Sequence, residues 1–265
     1  MSRSITRFQG KVAVVTGAAG ALGAAIATRL AEEGADLLLV GSGRTPLTDS
    51  VATVEAAGAK VATVEADVVT AEGVQAYIAT AREQFGRIDV LINLAGIEGA
   101  IAPLVQYDDD TFDRVLRTNT RSVYLGIKHA APVMIEQGGG VIINMSSAAG
   151  VMGMPMFGPY VASKHAILGL TKSAASELGQ FKVRVAAVAP GPIESPMMDR
   201  IETGVAPVLG SEEAVKEAYT AMAADKRYGT PAEVAAAVAF LASDDASHLH
   251  GTYLRVDGGM AALSS

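Results

Sequence analysis

Tyr160 and Lys164 stand four residues apart, and Ser147 lies thirteen residues before the tyrosine. On a helix, a spacing of four places the phenol and the ammonium on the same face. A phenol has a reference pKa of about 10, and a neighbouring ammonium favours its ionised form. The three residues therefore predict a proton-handling site in which the Ser147 hydroxyl holds a substrate oxygen beside Tyr160. An ordinary surface pair with this spacing is the alternative.

Alternating apolar runs and helical segments predict the elements that would position these residues. Short β-branched runs separated by helices are typical of right-handed βαβ units in a parallel sheet covered on both faces. The strands are predicted at 11–16, 36–40, 60–65, 90–93, 141–145, 183–189 and 253–256. The helices are predicted from the glycine turn after the first strand to about 33, and at about 46–57, 72–85, 109–137, 160–178 and 231–242.

These elements predict an α/β fold, with a single doubly wound, Rossmann-type parallel sheet of about seven strands and helices on both faces. No internal repeat, low-complexity tract or linker interrupts the pattern. Residues 1–265 are therefore expected to form a single domain. The pattern loosens at about 192–230, where Met, Pro and Gly interrupt at most two short helices. This segment is the expected substrate loop and the expected site of movement.

The composition limits the possible partners. Half of the 265 residues are hydrophobic, 18% are charged, and the net charge is −7. Since no basic block is present to neutralise phosphates, neither nucleic acids nor anionic membranes are expected as partners. The absence of cysteine excludes disulfides and thiolate sites, and fits a reducing compartment such as the cytoplasm. His129, His165, His248 and His250 lack metal-ligand spacing within a predicted helix, so no metal is assigned.

The sequence shows no signal for membrane insertion or export. No run of about 18 uncharged apolar residues is long enough to cross a bilayer. The first ten residues carry charges that no apolar run follows. Neither a membrane span nor a signal peptide is therefore expected.

A glycine-rich turn joins the first predicted strand to the first predicted helix. Gly17, Ala21 and Gly23 occupy the positions of a dinucleotide fingerprint, in which glycines allow the backbone to approach a pyrophosphate at the helix N-terminus. The single domain of residues 1–265 is therefore expected to be a dinucleotide-binding domain. A merely tight strand–helix turn is the alternative. Asp67 follows the third strand, at the edge where ligands of such sheets bind, and is a candidate acceptor for an adenine amino group. A helix N-cap is its alternative role.

The end of the second predicted strand bears on the choice of cofactor. An NAD-dependent enzyme usually has an acid here for the ribose 2′-hydroxyl, whereas this chain has Gly-Ser-Gly-Arg at 41–44. Ser42 and Arg44 are suited to binding a 2′-phosphate. The segment therefore slightly favours NADP(H) over NAD(H), with an Arg44 side chain directed into solvent as the alternative.

In combination, these motifs resemble the short-chain dehydrogenase/reductase family over nearly the whole chain, from 11 to 259. Their order and spacing carry the resemblance, including the forty-one residues between Asn119 and Tyr160. The motifs are Thr16-Gly17 with Gly23, Asp67, Asn-Leu-Ala-Gly at 93–96, Asn119, Ser147, Tyr160 with Lys164, Pro-Gly-Pro-Ile at 190–193 and Val-Asp-Gly-Gly at 256–259. More narrowly, segments 95–99 and 226–229 resemble bacterial reductases of cyclic ketones.

The resemblance implies a role for each catalytic residue. Tyr160 would be the general acid in ketone reduction and the base in alcohol oxidation, and Ser147 would polarise the substrate oxygen. Lys164 would lower the pKa of Tyr160 and bind the nicotinamide ribose, and Asn119 would position a water that links Lys164 to solvent. The implied cofactor-binding residues are Gly17, Ala21, Leu22, Gly23, Ser42, Arg44, Asp67, Val68, Asn93, Ala95, Gly96, Tyr160, Lys164, Pro190, Gly191, Ile193 and Ser195.

Three positions depart from the family pattern. Ala21 replaces the middle glycine of the fingerprint and adds a methyl group near the pyrophosphate, which bears on cofactor affinity. Leu94 and Ala186 replace asparagines and are interpreted as structural. All the proposed proton-handling residues are present.

The expected substrate wall combines small, aromatic and methionine side chains with one acid. Methionines adapt to irregular ligands, so a medium-sized apolar or cyclic substrate is expected, with core or subunit-interface packing as the alternative. Glu98 must be solvated, paired or in contact with a polar substrate group, unless it is merely an exposed loop residue. The wall residues are Glu98, Ala148, Met152, Met154, Phe157, Met197 and Met198.

The leading hypothesis is a nicotinamide-dependent oxidoreductase acting on a small apolar or cyclic ketone or secondary alcohol. A 3-oxoacyl thioester reductase is one alternative, and a non-catalytic NADP-binding sensor or scaffold is another. An enoyl reductase is disfavoured, because its tyrosine and lysine are more widely spaced. The family also implies that helices near 119–137 and 160–178 pair into a four-helix dimer interface within a homotetramer, a dimer of dimers.

Overall fold

The computed structural model describes residues 6–262 of the chain. Its seven strands form one sheet in the order β3-β2-β1-β4-β5-β6-β7, and all neighbouring strands are parallel. This confirms the predicted doubly wound α/β fold. The strands are β1 Val12–Thr16, β2 Asp36–Gly41, β3 Val61–Glu65, β4 Val90–Asn93, β5 Gly140–Met145, β6 Val183–Pro190 and β7 Tyr253–Val256.

Nine α-helices occur within 6–262, and two apolar clusters place several of them on opposite faces of the sheet. One cluster contains buried residues of α1, α2 and α9, and the other contains those of α3, α5 and α6. The central strands are buried on both faces, as their continuous apolar runs require. The helices are α1 Ala21–Glu32, α2 Thr48–Ala56, α3 Ala71–Phe85, α4 Asp109–Leu116, α5 Ser122–Glu136, α6 Gly158–Leu178, α7 Pro196–Leu209, α8 Glu212–Met222 and α9 Pro231–Ala242.

The strand order indicates where a sheet of this kind would bind a ligand. The chain runs outward from β1 through β2 to β3, and then crosses to β4 on the other side of β1. Ligands of such sheets bind in the crevice at the carboxyl ends of the strands where the order reverses. The glycine turn after β1, the loop after β4 and the loop after β5 all lie at this edge.

Two segments differ from the sequence-based expectation. The helix predicted at 109–137 is divided by a π-helical turn at Arg117–Arg121, which separates α4 from α5. The segment at 192–230 contains two helices of 14 and 11 residues, longer than expected, each with a serine cap. Ser195 and Ser211 accept hydrogen bonds from backbone amides in the first turns of α7 and α8, which satisfies groups that a helix start leaves unpaired.

Within residues 6–262, no helix combines the length and the apolar character needed to cross a membrane. The first five residues, which belong to the segment considered for a signal peptide, lie outside the described part of the chain.

Candidate active site

Tyr160 and Lys164 lie in the first two turns of α6, immediately above the end of β5. Pro159 lies in the first turn of this helix, where a missing amide hydrogen costs nothing. The Lys164 Nζ atom is 5.4 Å from the centroid of the Tyr160 ring and donates a hydrogen bond of 3.0 Å to the Met145 carbonyl oxygen. The predicted helical pair is therefore formed, and β5 anchors its ammonium.

Ser147 follows β5 by two residues and completes the group. Its Oγ accepts a hydrogen bond of 3.2 Å from the Ala149 amide and lies 3.5 Å from the Pro190 carbonyl oxygen at the end of β6. A hydrogen bond between the Ser147 and Tyr160 side chains lowers the pKa of the phenol. The hydroxyl, phenol and ammonium predicted from sequence are thus brought together at the carboxyl edge of the sheet.

The net pKa of Tyr160 is raised. Burial is the largest cause, the hydrogen bond with Ser147 opposes it, and the negative charge of Glu98 adds to it. The expected lowering of this pKa by Lys164 is therefore not found, because burial disfavours the charged phenolate. A raised pKa keeps the phenol protonated at neutral pH, which suits a proton donor.

Burial has the opposite effect on Lys164. The side chain is only 5% exposed, and burial lowers its pKa to about 8. Below about pH 8 the group is an ammonium with three hydrogens to donate, and above it a neutral amine. Lys164 is therefore suited to change its charge near physiological pH.

We expect this titration to appear in the pH profile of ketone reduction. As the pH rises through about 8, Lys164 loses its positive charge, and kcat/KM for the reduced cofactor should fall. This ratio reports groups of the free enzyme, so steady-state rates measured from about pH 6 to pH 10 are informative. A profile that stays flat through this range would contradict the assignment.

Asn119 is fully buried in the π-helical turn. Its Oδ1 accepts from the Ile97 amide at 2.8 Å, and its Nδ2 donates to the Ile97 carbonyl at 2.9 Å and to Ser163 Oγ at 3.0 Å. Both Nδ2 hydrogens are thus used within the protein. The side chain ties the loop after β4 to α6, and the expected role in positioning a water stays a prediction.

The glycine turn after β1 has the shape that a dinucleotide requires. Gly17 has a φ of +69°, and a β-carbon there would lie 3.1 Å from the Ala95 backbone. A β-carbon at Gly23 would clash with the Gly17 carbonyl oxygen, so α1 packs directly on the turn. No side chain caps the N-terminus of α1, which starts at Ala21 and continues through Leu22. These features fit a pyrophosphate bound at the helix start.

Thr16 is a positioning residue that sequence reasoning noted only as part of a motif. Its hydroxyl donates to the Ile92 carbonyl at 3.2 Å and accepts from the amides of Leu94 and Ala95 at 3.0 and 3.2 Å. It therefore joins the ends of β1 and β4. Gly96 follows, and a β-carbon there would lie 3.1 Å from Asn119 Oδ1 and 3.7 Å from Lys164 Nζ.

The Asn93 side chain is hydrogen-bonded within the protein, and the expected contact of Asn93 with the cofactor stays a prediction. The side chain is 5% exposed, and its Nδ2 donates to Asn144 Oδ1 at 2.9 Å. Asn144 donates in turn to Thr171 Oγ1 on α6 at 3.0 Å. The Asn93 side chain is therefore used to join β4, β5 and α6.

The residues expected to bind the adenosine half lie at the edge formed by β2 and β3. Ser42, Arg44 and Asp67 are exposed, and Val68 is half-buried. Asp67 Oδ1 accepts from the Val69 amide at 3.1 Å. The N-cap of α3 is Thr70, so the alternative role of Asp67 as that cap is wrong.

The segment after β6 leads from the carboxyl edge of the sheet into α7. Pro190 ends β6, and a β-carbon at Gly191 would lie 2.9 Å from the Asp257 backbone. Ile193 is 6% exposed and forms a parallel bridge with Gly229. Ser195 Oγ donates to the Ile193 carbonyl and accepts from the Met198 amide, so this hydroxyl is used in capping α7.

Most of the expected substrate wall belongs to one apolar cluster. Ala148, Phe157 and Met198 are buried in it, and Met152 and Met154 pack against it together with Tyr160. Met197 is half-buried and is not a member. The cluster also contains side chains that the sequence-based wall did not include. They lie on α7 (Val205), on α8 (Val215 and Tyr219), in the loop before α9 (Tyr228) and after β7 (Met260).

Two features of this wall bear on the site. Burial raises the pKa of Tyr219 to about 12, and the nearby Tyr160 adds to the shift, which places the two tyrosines close together. Glu98 is paired with Arg200 of α7, with Nε–Oε1 and Nη2–Oε2 distances of 2.6 and 3.3 Å. Glu98 was expected to be solvated, paired or in contact with a substrate group, and the structure shows it paired.

Comparison with known proteins identifies relatives for the whole chain. Residues 17–261 match a family model described as "Enoyl-(Acyl carrier protein) reductase". Levodione reductase of Leifsonia aquatica is 40% identical over 263 residues, which cover 98% of each protein. A 3-oxoacyl-(acyl-carrier-protein) reductase of Staphylococcus aureus is 39% identical over 251 residues, which cover 94% of this chain and 98% of the relative.

Solved structures of dehydrogenases and reductases also match nearly the whole chain. The crystal structure of levodione reductase has a TM-score of 0.92, covering 97% of this chain and 99% of that one. NAD+-bound xylitol dehydrogenase has a TM-score of 0.93 at 37% identity, covering 96% and 100%. Actinorhodin polyketide ketoreductase with NADPH has a TM-score of 0.90 at 32% identity, covering 95% and 97%. The resemblance drawn from the motifs is confirmed.

Proposed function

This chain belongs to the short-chain dehydrogenase/reductase family, and we propose that its Ser147, Tyr160 and Lys164 interconvert a small apolar or cyclic ketone and its secondary alcohol. The protein is an NAD(P)-dependent alcohol and ketone oxidoreductase. One observation carries the assignment of residues. The three side chains converge at the carboxyl edge of the sheet, where the glycine turn after β1 fits a dinucleotide.

The nicotinamide cofactor, when bound, supplies or accepts the hydride. In reduction, Ser147 Oγ donates a hydrogen bond to the substrate carbonyl oxygen, and the Tyr160 hydroxyl gives its proton to that oxygen as negative charge develops. In oxidation, Tyr160 accepts the alcohol proton. Lys164 contributes positive charge beside the phenol and donates hydrogen bonds to the nicotinamide ribose.

The remaining residues position this group. Asn119 holds the loop after β4 against α6, and Thr16 joins that loop to β1. The glycine turn, Asp67 with Val68, and the backbone around Ala95, Gly96 and the 190–195 segment would hold the dinucleotide. Since the Asn93 and Ser195 side chains are used within the protein, their contribution to binding would come from the backbone.

NADP(H) is proposed to bind slightly more tightly than NAD(H), because Arg44 is exposed directly after β2 and no acid stands within the turn. Fluorescence titration with NADPH and NADH tests this preference. A panel of ketones and alcohols, followed by the absorbance of the reduced nicotinamide, then tests the activity. Tighter NADH binding would contradict the role of Arg44, and binding of neither cofactor would contradict the function itself.

The substrate class rests on the wall of the pocket. Tyr160 packs against an apolar cluster that contains Phe157 and Met198, and the adaptable side chains of Met152 and Met154 pack against the same cluster. The substrate named in levodione reductase supports a cyclic ketone by analogy. The helices α7 and α8, within the proposed substrate loop at 192–230, supply part of this wall.

The ion pair between Glu98 and Arg200 joins this loop to the loop after β4, and we expect it to affect substrate affinity. Arg200→Ala should raise KM for the ketone about two- to fivefold and change kcat less, since Arg200 is 58% exposed and such pairs are weak. Arg82→Ala, which breaks the exposed pair with Glu136, is the matched control. An unchanged KM in the Arg200 variant would show that the ion pair does not affect substrate affinity.

A 3-oxoacyl thioester is the second candidate substrate class, favoured by the relative from Staphylococcus aureus. An acyl carrier protein is acidic, so its docking requires a basic surface, whereas the net charge of this chain is −7. Reduction of a 3-oxoacyl thioester that exceeds the reduction of every cyclic ketone tested would favour this alternative. A non-catalytic sensor is excluded if any substrate turns over.

A homotetramer, as a dimer of dimers, is part of the proposal. Exposed apolar side chains on α5 and on the loop before α4 support it, including Tyr124 at 44% and Val105 at 92% exposure. Light scattering at micromolar concentration tests it, and a monomer would contradict it.

A cytoplasmic location is also proposed, because the chain contains no cysteine and suits a reducing compartment.

A further inference from the structure

Strand β3 brings a carboxylate to the turn that follows β2. Gly41, the last residue of β2, is the register partner of Glu65, the last residue of β3. Two residues further on, Gly43 has a φ of +76°. A β-carbon at this glycine would lie 2.8 Å from Glu65 Oε2 and 3.2 Å from its carboxyl carbon. The Glu65 side chain therefore lies directly against the turn.

This turn is where a dinucleotide-binding sheet meets the adenosine ribose. In such sheets a group about 20 residues beyond the glycine turn contacts the ribose 2′-hydroxyl or accommodates a 2′-phosphate. Gly41 stands 24 residues after Gly17, at the end of the strand next to β1. The sequence shows no acid within this turn, and the fold supplies one from the neighbouring strand.

Two opposite charges consequently border this turn, Glu65 against Gly43 and Arg44 as the next residue of the chain. Arg44 and Glu65 are both exposed, and within residues 6–262 neither forms an ion pair. Each charge is thus available to a ligand. The guanidinium attracts a 2′-phosphate, and the carboxylate repels it.

We propose that Glu65 limits the affinity for NADP(H) and so allows the enzyme to use both NADP(H) and NAD(H). Its carboxylate opposes the 2′-phosphate that Arg44 attracts, while NAD(H) carries no phosphate to repel. This inference rests on the proposed function. Because both side chains are exposed, water and salt weaken each interaction, and the expected effects are a few fold.

Glu65→Gln tests the proposal by binding alone. In calorimetric titrations at low salt, its Kd for NADPH should fall about three- to tenfold, whereas its Kd for NADH should not fall. The gain for NADPH should shrink as the salt concentration rises. Arg44→Gln should instead raise the Kd for NADPH relative to the Kd for NADH.

Glu83→Gln is the matched control, because Glu83 is an exposed acid of α3 that does not line the surface cavity beside Glu65, and its replacement changes the net charge equally. It should leave the ratio of the two Kd values unchanged. An equal shift for both cofactors in Glu65→Gln, or no change for NADPH, would overturn the inference while leaving the enzyme's function intact. Wild-type protein that binds neither cofactor would instead overturn the proposed function on which the inference rests.

Discussion

Tyr160→Phe should lower kcat for ketone reduction by about a thousandfold, because it removes only the hydroxyl that gives the proton. The ring remains to fill its place in the apolar cluster, so the fold and the binding of the cofactor should be preserved. Burial raises the pKa of this phenol, which keeps the proton on the wild-type enzyme at neutral pH. Single-turnover measurements with a saturating cofactor separate this loss from slow product release.

Tyr124→Phe provides the control for this variant. Tyr124 is 44% exposed on α5, so the same chemical change there should leave kcat within about twofold of the wild-type value. Turnover by Tyr160→Phe at the wild-type rate would show that another group transfers the proton. A loss of cofactor binding in that variant would show that the hydroxyl serves the cofactor instead.

Lys164→Met should lower kcat/KM by about a hundred- to a thousandfold, the range found when a positioned charge-stabilising donor is removed. Both the affinity for the cofactor and the turnover should decline, since the ammonium is expected to serve the nicotinamide ribose and the phenol. The fall of the reduction rate through about pH 8 should also disappear, because the group responsible is absent. Pre-steady-state rates and cofactor titrations over this pH range measure both effects.

If Lys164 had a merely structural role, Lys164→Met would lower the stability of the fold and leave the pH dependence of the reaction unchanged. Its ammonium is buried with the Met145 carbonyl as hydrogen-bond partner, and methionine has a similar length and no charge to desolvate. The free energy of unfolding should therefore change by no more than about 1–2 kcal/mol. Lys172→Met, at an exposed position of the same helix, is the control. Unchanged pH dependence in Lys164→Met would contradict the assignment.

Much of the fold follows from local sequence signals. The strands are short, continuous apolar runs, and their predicted bounds agree with the structure to within one residue at each end. Gly86 adopts the left-handed conformation that ends α3 at the expected place. The pairing of Tyr160 with Lys164 was predictable for the same reason, because a helix determines which residues share a face.

Features that depend on distant contacts were not predictable in this way. The π-helical turn at Arg117–Arg121 interrupts an otherwise continuous helical pattern, and Asn119 within it bonds to residues 22 and 44 positions away. The Glu98–Arg200 pair joins residues 102 positions apart. No local pattern reveals that either contact forms.

Electrostatic properties of the site were the least accessible to sequence reasoning. The spacing of Tyr160 and Lys164 suggested a lowered phenol pKa, whereas burial raises it. Burial is a property of the assembled cluster, to which α7 and α8 contribute. The contact of the Glu65 carboxylate with the turn at Gly43 was likewise not predictable, because it depends on the register of β2 against β3.

The most direct test follows the hydride itself. The enzyme is incubated with a reduced nicotinamide cofactor that carries deuterium at the transferable position of C4, together with a cyclic ketone, and the alcohol is analysed by mass spectrometry. The account predicts that the alcohol carries deuterium on its carbinol carbon, in proportion to the cofactor oxidised, and that Tyr160→Phe forms almost none. Alcohol without deuterium, or equal labelling by the Tyr160 variant, would contradict the account.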